Sequence, residues 1–278
     1  EKHAAKIMGR DDRKYGDHSG NRVLCRFYNH GSIGDQSSSF SGVYPIGSGH
    51  SYIWEFSPVV AASVVDTNGF RRHIVSDGIS GLVDASPEGT PWSFEPLSGY
   101  SNPNQENLAM SDNENSWPNS WPNRTEDWNG EWNGQYGKYV RADQESYFVV
   151  DDRYNSEFEF WPDQNDIPED PTVSPDEHRR GLGIEMEARG YQWNHPAAED
   201  IIIVTYWITN VGSSVLDSVV FGMYGDADIG GASSFSDDDA WFDTENDMVY
   251  QWDHDNWSSS YGGFRPAYFG WSFLESPG

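Results

Sequence analysis

The sequence is poor in cysteine, in long apolar runs and in helical periodicity. Its one cysteine, Cys25, excludes an intrachain disulfide, which fits a cytosolic protein or a secreted bacterial protein that uses metal ions in place of disulfides. No run of about 18 apolar residues occurs, so a transmembrane helix is excluded and we expect no membrane insertion. No segment has the spacing of a helix longer than two turns. We therefore expect a fold built from strands and turns.

Positive charge is also scarce. The 278 residues include 17 Lys and Arg against 45 Asp and Glu, which gives a formal net charge of −28. Nucleic acids and anionic membranes are polyanions, so this charge argues against both as partners. It suits cationic partners or neutral ligands such as glycans.

The shortage of cations is greatest in residues 190–264, which contain thirteen Asp and Glu residues and no Lys or Arg. Ten of these acids fall between Asp226 and Asp255. Carboxylates this dense repel one another. Either solvent on an open acidic surface or a bound hard cation must relieve that repulsion, and both interpretations remain open.

The best cation candidate is the Asp-x-Asp pair Asp226 and Asp228, which follows a predicted strand and precedes two glycines. Glycine lets backbone carbonyls turn inward, and Ca²⁺ takes about six to eight oxygen ligands in a flexible arrangement. The sequence Asp253-His-Asp255 favours a polar turn over a metal site. The predicted Ca²⁺ ligands are Asp226, Asp228, Asp237, Asp239 and Asp243.

Aromatic residues, glycine and proline are abundant, and the 13 Trp, 15 Tyr, 14 Phe, 28 Gly and 15 Pro favour strands and turns. We predict an all-β fold, an antiparallel β-sandwich of jelly-roll or immunoglobulin-like type with long Trp/Pro/Asn-rich and Asp-rich loops. Pro58 is expected to split the stretch 52–65 into two strands. Residues 66–69 and 211–214 are expected to be the turns of two hairpins. The other strand candidates are 21–28, 70–76, 145–151, 184–191, 199–210, 215–224, 247–252 and 267–274.

The composition changes along the chain suggest its organisation. Residues 1–20 are predicted to be a flexible N-terminal arm, and 21–278 a single large β-sandwich domain with an irregular insertion at about 87–137. Two β subdomains, 21–86 and 138–278, are the alternative. Because the chain opens without Met, we expect that a signal peptide has been removed, and because it stops at an apolar segment we expect it to be a piece of a longer polypeptide.

The insertion contains repeated Trp-Pro-Asn and Trp-Asn-Gly turns, with too many tryptophans for a disordered linker. Exposed rings could stack on sugars while Asn and Asp side chains bind the hydroxyls. The alternative is that the rings form the loop's own small core, which is favoured because ordering such a loop requires burial. The candidate ligand-binding residues are Trp117, Trp121, Trp128 and Trp132.

No catalytic motif is present, so the catalytic residues are unknown. There is no nucleophile elbow, phosphate-binding loop or zinc spacing. A pair of carboxylates could hydrolyse a glycoside, but pairs are unavoidable among 45 acids. The candidates for such a pair are Glu145, Asp151, Asp152, Glu185 and Glu187.

Several segments carry a recognisable pattern: ADQESYFVVDD at 142–152, RRGLGIEMEARGYQWNHPAAEDIIIVTYWITNVG at 179–212, VVFGMYGDADIGG at 219–231 and YFGWSFLESPG at 268–278. The earlier segments NHGSIGD at 29–35 and YPIGSGHSYIWEFSPVV at 44–60 fit the same pattern. With them the chain resembles the N-terminal region of large secreted proteins of Bacteroidetes-type environmental bacteria, many of which end in a type IX secretion sorting domain. The resemblance implies export, attachment to the cell surface and a modular β-rich architecture. It implies no reaction.

Together these observations predict an extracellular or cell-surface β-rich module, stabilised by Ca²⁺, that acts in adhesion, glycan binding or surface assembly. Its expected partner is a glycan, a neighbouring surface protein or another copy of itself. Two alternatives remain: a secreted carbohydrate-active hydrolase that uses a carboxylate pair, and a structural subunit of an extracellular filament in which an incomplete terminal strand pairs with a neighbour.

Overall fold

The protein is nearly all β. The computed structural model describes residues 13–34, 42–80, 85–87, 89, 92–167, 178–231 and 234–276. The helical pieces within these ranges are single 3-10 turns of three residues each, so none is long and apolar enough to cross a membrane. The strands are β1 Tyr15–His18, β2 Cys25–Tyr28, β3 Ile53–Val65, β4 Arg71–Asp77, β5 Glu95–Pro96, β6 Ala109–Met110, β7 Gln144–Asp151, β8 Ile184–Gln192, β9 Ile203–Asn210, β10 Asp217–Ala227, β11 Asp238–Asp243, β12 Met248–Asp253 and β13 Phe269–Ser272.

Two antiparallel sheets enclose the main core. Sheet A has the order β10-β3-β4, and sheet B has the order β5-β7-β8-β9, with β6 also pairing with β7. Val60 of β3 faces one side of this core, and Val150 of β7 and Met186 of β8 face the other; all three are fully buried. The predicted antiparallel sandwich is confirmed.

Strand β3 is one continuous strand of 13 residues, not the two strands that Pro58 led us to predict. Pro58 pairs with Met223 of β10, while the pairing of β3 with β4 ends at the neighbouring pair Val59 and Asp77. A proline destabilises a sheet least where the pairing of two strands ends, because its missing N–H then removes no hydrogen bond between them. The strand therefore continues through it.

The hairpin of β3 and β4 forms as the sequence predicts. Asp66 closes its turn: one carboxylate oxygen accepts hydrogen bonds from the backbone N–H groups of Asn68, at 2.9 Å, and Phe70, at 2.8 Å. Gly69 adopts a φ of +81°, which glycine allows without strain.

The second predicted hairpin does not form. Strand β9 pairs with β8 in sheet B, whereas β10 pairs with β3 in sheet A, so the short connection after β9 carries the chain from one sheet to the other. The rings of Tyr206 on β9 and Phe221 on β10 lie 5.2 Å apart and face each other across the sandwich. Each strand therefore pairs within its own sheet, and the two strands meet through apolar side chains that pack against the core.

The N-terminal segment is more ordered than predicted. We expected a flexible arm as far as residue 20, but Tyr15–His18 pairs with Cys25–Tyr28, and residues 1–12 lie outside the described part of the chain. His18 is fully buried, with Nε2 at 2.8 Å from Ser146 Oγ. This contact fixes the first hairpin on sheet B.

A third sheet has the order β11-β12-β13. Strand β11 lies where the sequence suggested an acidic loop. One face of this sheet turns toward the main core, where Phe269 and Trp271 contact Phe56 with ring centroids 5.1 and 4.7 Å apart. The opposite face is turned outward.

Strand β7 is buried at all eight positions because both of its faces are covered. Phe148 and Val150 face the main core, and Tyr147 on the other face packs under Trp121 and Trp132 of the insertion. We call this second set of contacts the outer cluster, which consists of Leu97, Ala109, Trp121, Trp132, Tyr147 and Val149 with the half-buried Tyr100, Trp117, Trp128 and Tyr154 around it.

Candidate functional site

The outward face of the third sheet carries a group of aromatic side chains. Pairing of Trp241 with Tyr250 and of Asp239 with Trp252 places these residues on one face, since directly opposed residues in an antiparallel pair share a face. Tyr268 follows from the register of β12 with β13, in which Gly270 opposes Tyr250. We call Trp241, Tyr250, Trp252 and Tyr268 the aromatic face.

Three rings of the aromatic face, those of Tyr250, Trp252 and Tyr268, lie next to one another. The centroid of Trp252 is 5.5 Å from Tyr250 and 5.8 Å from Tyr268, and the Trp252 and Tyr268 planes differ by 26°. Trp241 is 64% exposed and Tyr268 is 68% exposed. The Tyr250 and Tyr268 planes differ by 46°, so the rings are tilted and not coplanar. Gly270 opposes Tyr250 and adds no side chain to the face. The result is an apolar surface of neighbouring rings, two of whose members are largely open to solvent.

A polar pair borders this surface. Asp239 lies beside Trp252, and one of its carboxylate oxygens is 2.7 Å from Nδ1 of His254. Hydrogen bonding to Asp239 raises the pKa of His254. The pair places a carboxylate and an imidazole within reach of any hydroxyl-bearing ligand that lies on the rings.

A cluster of carboxylates lies at the end of the same sheet, beneath the aromatic face. One carboxylate oxygen from each of Asp237, Asp253 and Asp255 lies within 4.8 Å of the other two. Asp253 is buried and accepts hydrogen bonds from Ser234 Oγ at 2.6 Å and from the backbone N–H of Trp257 at 2.7 Å. Asp237 and Asp255 are exposed. We call these three residues the acidic triad.

Asp238 adds to this concentration of charge. Its Oδ2 accepts a hydrogen bond from the Ile229 backbone N–H at 2.9 Å, whereas its Oδ1 is buried and has no hydrogen-bond partner among the described residues. Burial raises the pKa of Asp238 to about 7, and the carboxylates of Asp253, Asp228 and Asp237 act in the same direction. A hard cation at this end of the sheet would offset that repulsion.

The structure brings together only part of the predicted calcium ligand set. Asp237 belongs to the triad, and Asp228 is close enough to raise the pKa of Asp238. Asp226 lies in β10 opposite Glu55. Asp239 bonds His254 on the outward face.

Asp243 lies far from the acidic triad. It is at the other end of β11 from Asp238, five residues or roughly 17 Å away at about 3.4 Å per residue. There its Oδ1 accepts hydrogen bonds from the backbone N–H groups of Glu245 and Asn246, so it shapes the β11–β12 turn. The triad members missed as ligands, Asp253 and Asp255, occur as an Asp-x-Asp in the sequence, which is the same signal that singled out Asp226 and Asp228.

The predicted ligand-binding tryptophans of the insertion lie in or beside the outer cluster. Trp121 and Trp132 are each 2% exposed, so neither presents a ring face to a ligand. Trp117 is half-buried and its Nε1 donates to the Met110 carbonyl oxygen at 2.7 Å. The half-buried Trp128 lies under the Arg124 guanidinium, 4.3 Å from the ring centroid.

The candidate carboxylate pairs for hydrolysis serve structural contacts. Asp151 and Asp152 are buried around Arg179, which bonds Asp151 and lies 3.6 Å from Asp152. Asp152 also accepts hydrogen bonds from two backbone N–H groups and from Ser76 Oγ. Burial raises the pKa of Asp152 to about 7, and the neighbouring Asp151 carboxylate acts in the same direction.

The other three carboxylates lie on the outer side of sheet B. Glu145 is buried and accepts a hydrogen bond from Trp132 Nε1 at 2.7 Å, and Glu187 accepts one from the Tyr147 hydroxyl at 2.9 Å. Glu185 opposes Asp151 in the pairing of β8 with β7. A separate open groove of about 490 Å³ has a single carboxylate in its lining, Asp217, which is paired with Arg71.

Comparison of the chain with models of known protein families gives no match, and neither do comparisons with curated proteins and with solved structures. The functional argument therefore depends on the geometry of the aromatic face and of the acidic triad.

Proposed function

We propose that the protein is a secreted or cell-surface β-sandwich module that binds neutral glycans on the aromatic face and acts in adhesion. The observation that carries this proposal is the alignment of Trp241, Tyr250, Trp252 and Tyr268 on one outward sheet face. Aromatic rings are apolar on their faces and pack well against the C–H faces of sugar rings. An open row of such rings suits an extended chain of sugars better than a small enclosed ligand.

Charge narrows the class of glycan. The face is bordered by Asp239 and belongs to a chain with a net charge of −28. Anionic polysaccharides would be repelled at low ionic strength. A neutral polysaccharide pays no such cost, and its hydroxyls can bond the Asp239 carboxylate and the His254 imidazole.

The test is binding to neutral polysaccharides, with immobilised cellulose, chitin, xylan and mannan as probes and heparin as the anionic contrast. Trp241→Ala and Tyr268→Ala should each weaken binding about tenfold, which corresponds to about 1.4 kcal/mol. Phe70→Ala is the matched control, because Phe70 is 63% exposed at the β3–β4 turn and belongs to neither the aromatic face nor β9. A folded wild-type protein that binds none of the four, or binding that Trp241→Ala leaves unchanged, would refute the proposal.

We propose further that Ca²⁺ binds at the acidic triad and holds the third sheet in place. The support is the convergence of Asp237, Asp253 and Asp255 and the unpartnered buried oxygen of Asp238 beside them. Oxygen-only donors suit a hard cation such as Ca²⁺. Its role would be structural, because it would lie on the triad and away from the outward rings.

Chelation tests this second proposal. EDTA should lower the melting temperature and added Ca²⁺ should restore it, since a ligand that binds only the folded state stabilises that state. Asp255→Asn should abolish the response to Ca²⁺, whereas Asp247→Asn, the same charge change at the far end of the β11–β12 hairpin, should preserve it. A melting temperature insensitive to EDTA and Ca²⁺ would exclude the site.

A further inference from the structure

Strand β9 is an open edge of sheet B. It pairs with β8 in unbroken register from Ile203 to Asn210, and within the described residues no strand pairs with its other side. Alternate backbone N–H and C=O groups of an edge strand point away from the sheet, so this edge can accept a further strand.

The two edge strands of sheet A carry features that discourage pairing. The free edge of β4 is covered in part by Asn155, whose side-chain amide donates to the Val75 carbonyl oxygen at 2.7 Å, and β4 begins with Arg71. Strand β10 has a register shift after Asp217, where Ser218 has a φ of +52°. Such bulges and charges are the devices that protect edges, and β9 has neither.

The composition of β9 favours strand addition. Its sequence IVTYWITN contains no charge, proline or glycine. Val204, Tyr206 and Ile208 point toward the core but are only partly buried, which fits an edge beyond which no strand lies. On the other side of the strand, Trp207 is 68% exposed.

The surroundings of β9 indicate what can approach it. Residues 201–216 contain no Asp, Glu, Lys or Arg, in a chain with a net charge of −28. Two copies of this chain repel each other wherever their carboxylates come close. At this uncharged edge the two copies can approach without bringing like charges together. A second copy of β9 also carries apolar side chains at alternate positions, so it can continue the apolar core side of sheet B.

We propose that two copies of the protein associate by antiparallel pairing of β9 with β9 across a two-fold axis, which joins their B sheets into one continuous sheet. Closed two-fold association brings the same surface of each copy together. A two-fold axis perpendicular to the sheet makes the two strands antiparallel and keeps Val204, Tyr206 and Ile208 of both copies on the core side. The proposal is independent of glycan binding, which uses the third sheet.

The test is the mass of the intact chain in solution, measured by sedimentation over a wide range of protein concentration at low and at moderate salt. The dimer should be favoured by salt, because salt screens repulsion between the acidic bodies. Trp207→Glu places two like charges near the axis and should shift the protein to monomer. Phe70→Glu, which alters a side chain 63% exposed at the β3–β4 turn, should leave the dimer intact.

Hydrogen exchange gives a second measurement that uses only the wild-type protein, so it does not depend on whether a variant folds. The backbone amides of β9 that do not bond β8 should become protected as the concentration rises. A protein that stays monomeric under all conditions, or a dimer that survives Trp207→Glu, would overturn the proposal. So would equal protection of these amides in monomer and dimer, because the edge would then be covered in some other way.

Discussion

Replacing Trp132 by Phe tests whether the insertion is held on sheet B by its own tryptophans. The Trp132 side chain is 2% exposed, and its Nε1 donates to Oε2 of Glu145 at 2.7 Å. The other oxygen of Glu145 accepts from the backbone N–H groups of Arg141 and Ala142. The substitution therefore leaves one oxygen of a buried carboxylate without its donor.

The expected loss can be worked out in two parts. A hydrogen bond to a charged group contributes about 1.5–3 kcal/mol to stability. The smaller phenyl ring also leaves a gap against Trp117 and Trp121, whose ring centroids lie 5.4 and 6.0 Å from Trp132, and this costs about 1 kcal/mol more. We expect Trp132→Phe to lower the free energy of unfolding by about 3 kcal/mol, a large share of the roughly 5–15 kcal/mol of a typical domain.

Urea denaturation followed by tryptophan fluorescence measures this loss as a lower transition midpoint. The matched control is Trp128→Phe, which weakens mainly the contacts of the ring with Arg124 and Lys138 and should cost about 0.5–1 kcal/mol. Glu145→Gln combined with Trp132→Phe should cost less than the sum of the two single changes, because the indole no longer opposes the new amide donor. Equal losses for Trp132→Phe and Trp128→Phe would refute the reasoning.

Three further predictions concern the core and its turns. The raised pKa of Asp152 means that the folded protein keeps a proton that the unfolded chain releases above about pH 4. The free energy of unfolding, measured by urea titration, should therefore fall as pH rises from 5 to 8, and it should fall less in Asp152→Asn. An equal pH dependence in both proteins would contradict this. Gly190→Ala should lower the free energy of unfolding by about 1–3 kcal/mol in the same assay, because a Cβ would lie 2.7 Å from His18 Nε2. A Cβ at Gly222 meets open space, so Gly222→Ala should cost much less. Similar losses for the two variants would refute the steric argument. Asp66→Ala removes the acceptor that closes the β3–β4 turn, so amides of this hairpin should exchange faster while those of β8 do not, and unchanged exchange at the turn would count against it.

The sequence predicted strands well and their partners less well. The turn at Asp66 was identifiable because Gly69 follows, and such turns connect paired strands. The turn after β9 gave a similar signal, yet its strands belong to different sheets. A short turn shows only that the chain reverses, and the partner of each strand depends on apolar faces contributed from distant parts of the chain.

The same limit applied to the candidate site. The acid-rich segment indicated either a solvated acidic surface or a bound cation, but the triad forms only when β11 pairs with β12 and Asp237 comes beside Asp253 and Asp255. The aromatic face was hidden for a similar reason, since Trp241 and Tyr250 become neighbours through register alone. No spacing along the sequence records a cross-strand contact.

The coverage of β7 on both faces has a consequence for how this fold can vary. The insertion supplies the apolar partner of Tyr147 and Val149, so it cannot be shortened without exposing them to water. A related chain that lacks the insertion should therefore carry polar residues at these two positions while keeping apolar ones at Phe148 and Val150. The length of one segment and the chemistry of every second residue in the strand that follows it should change together.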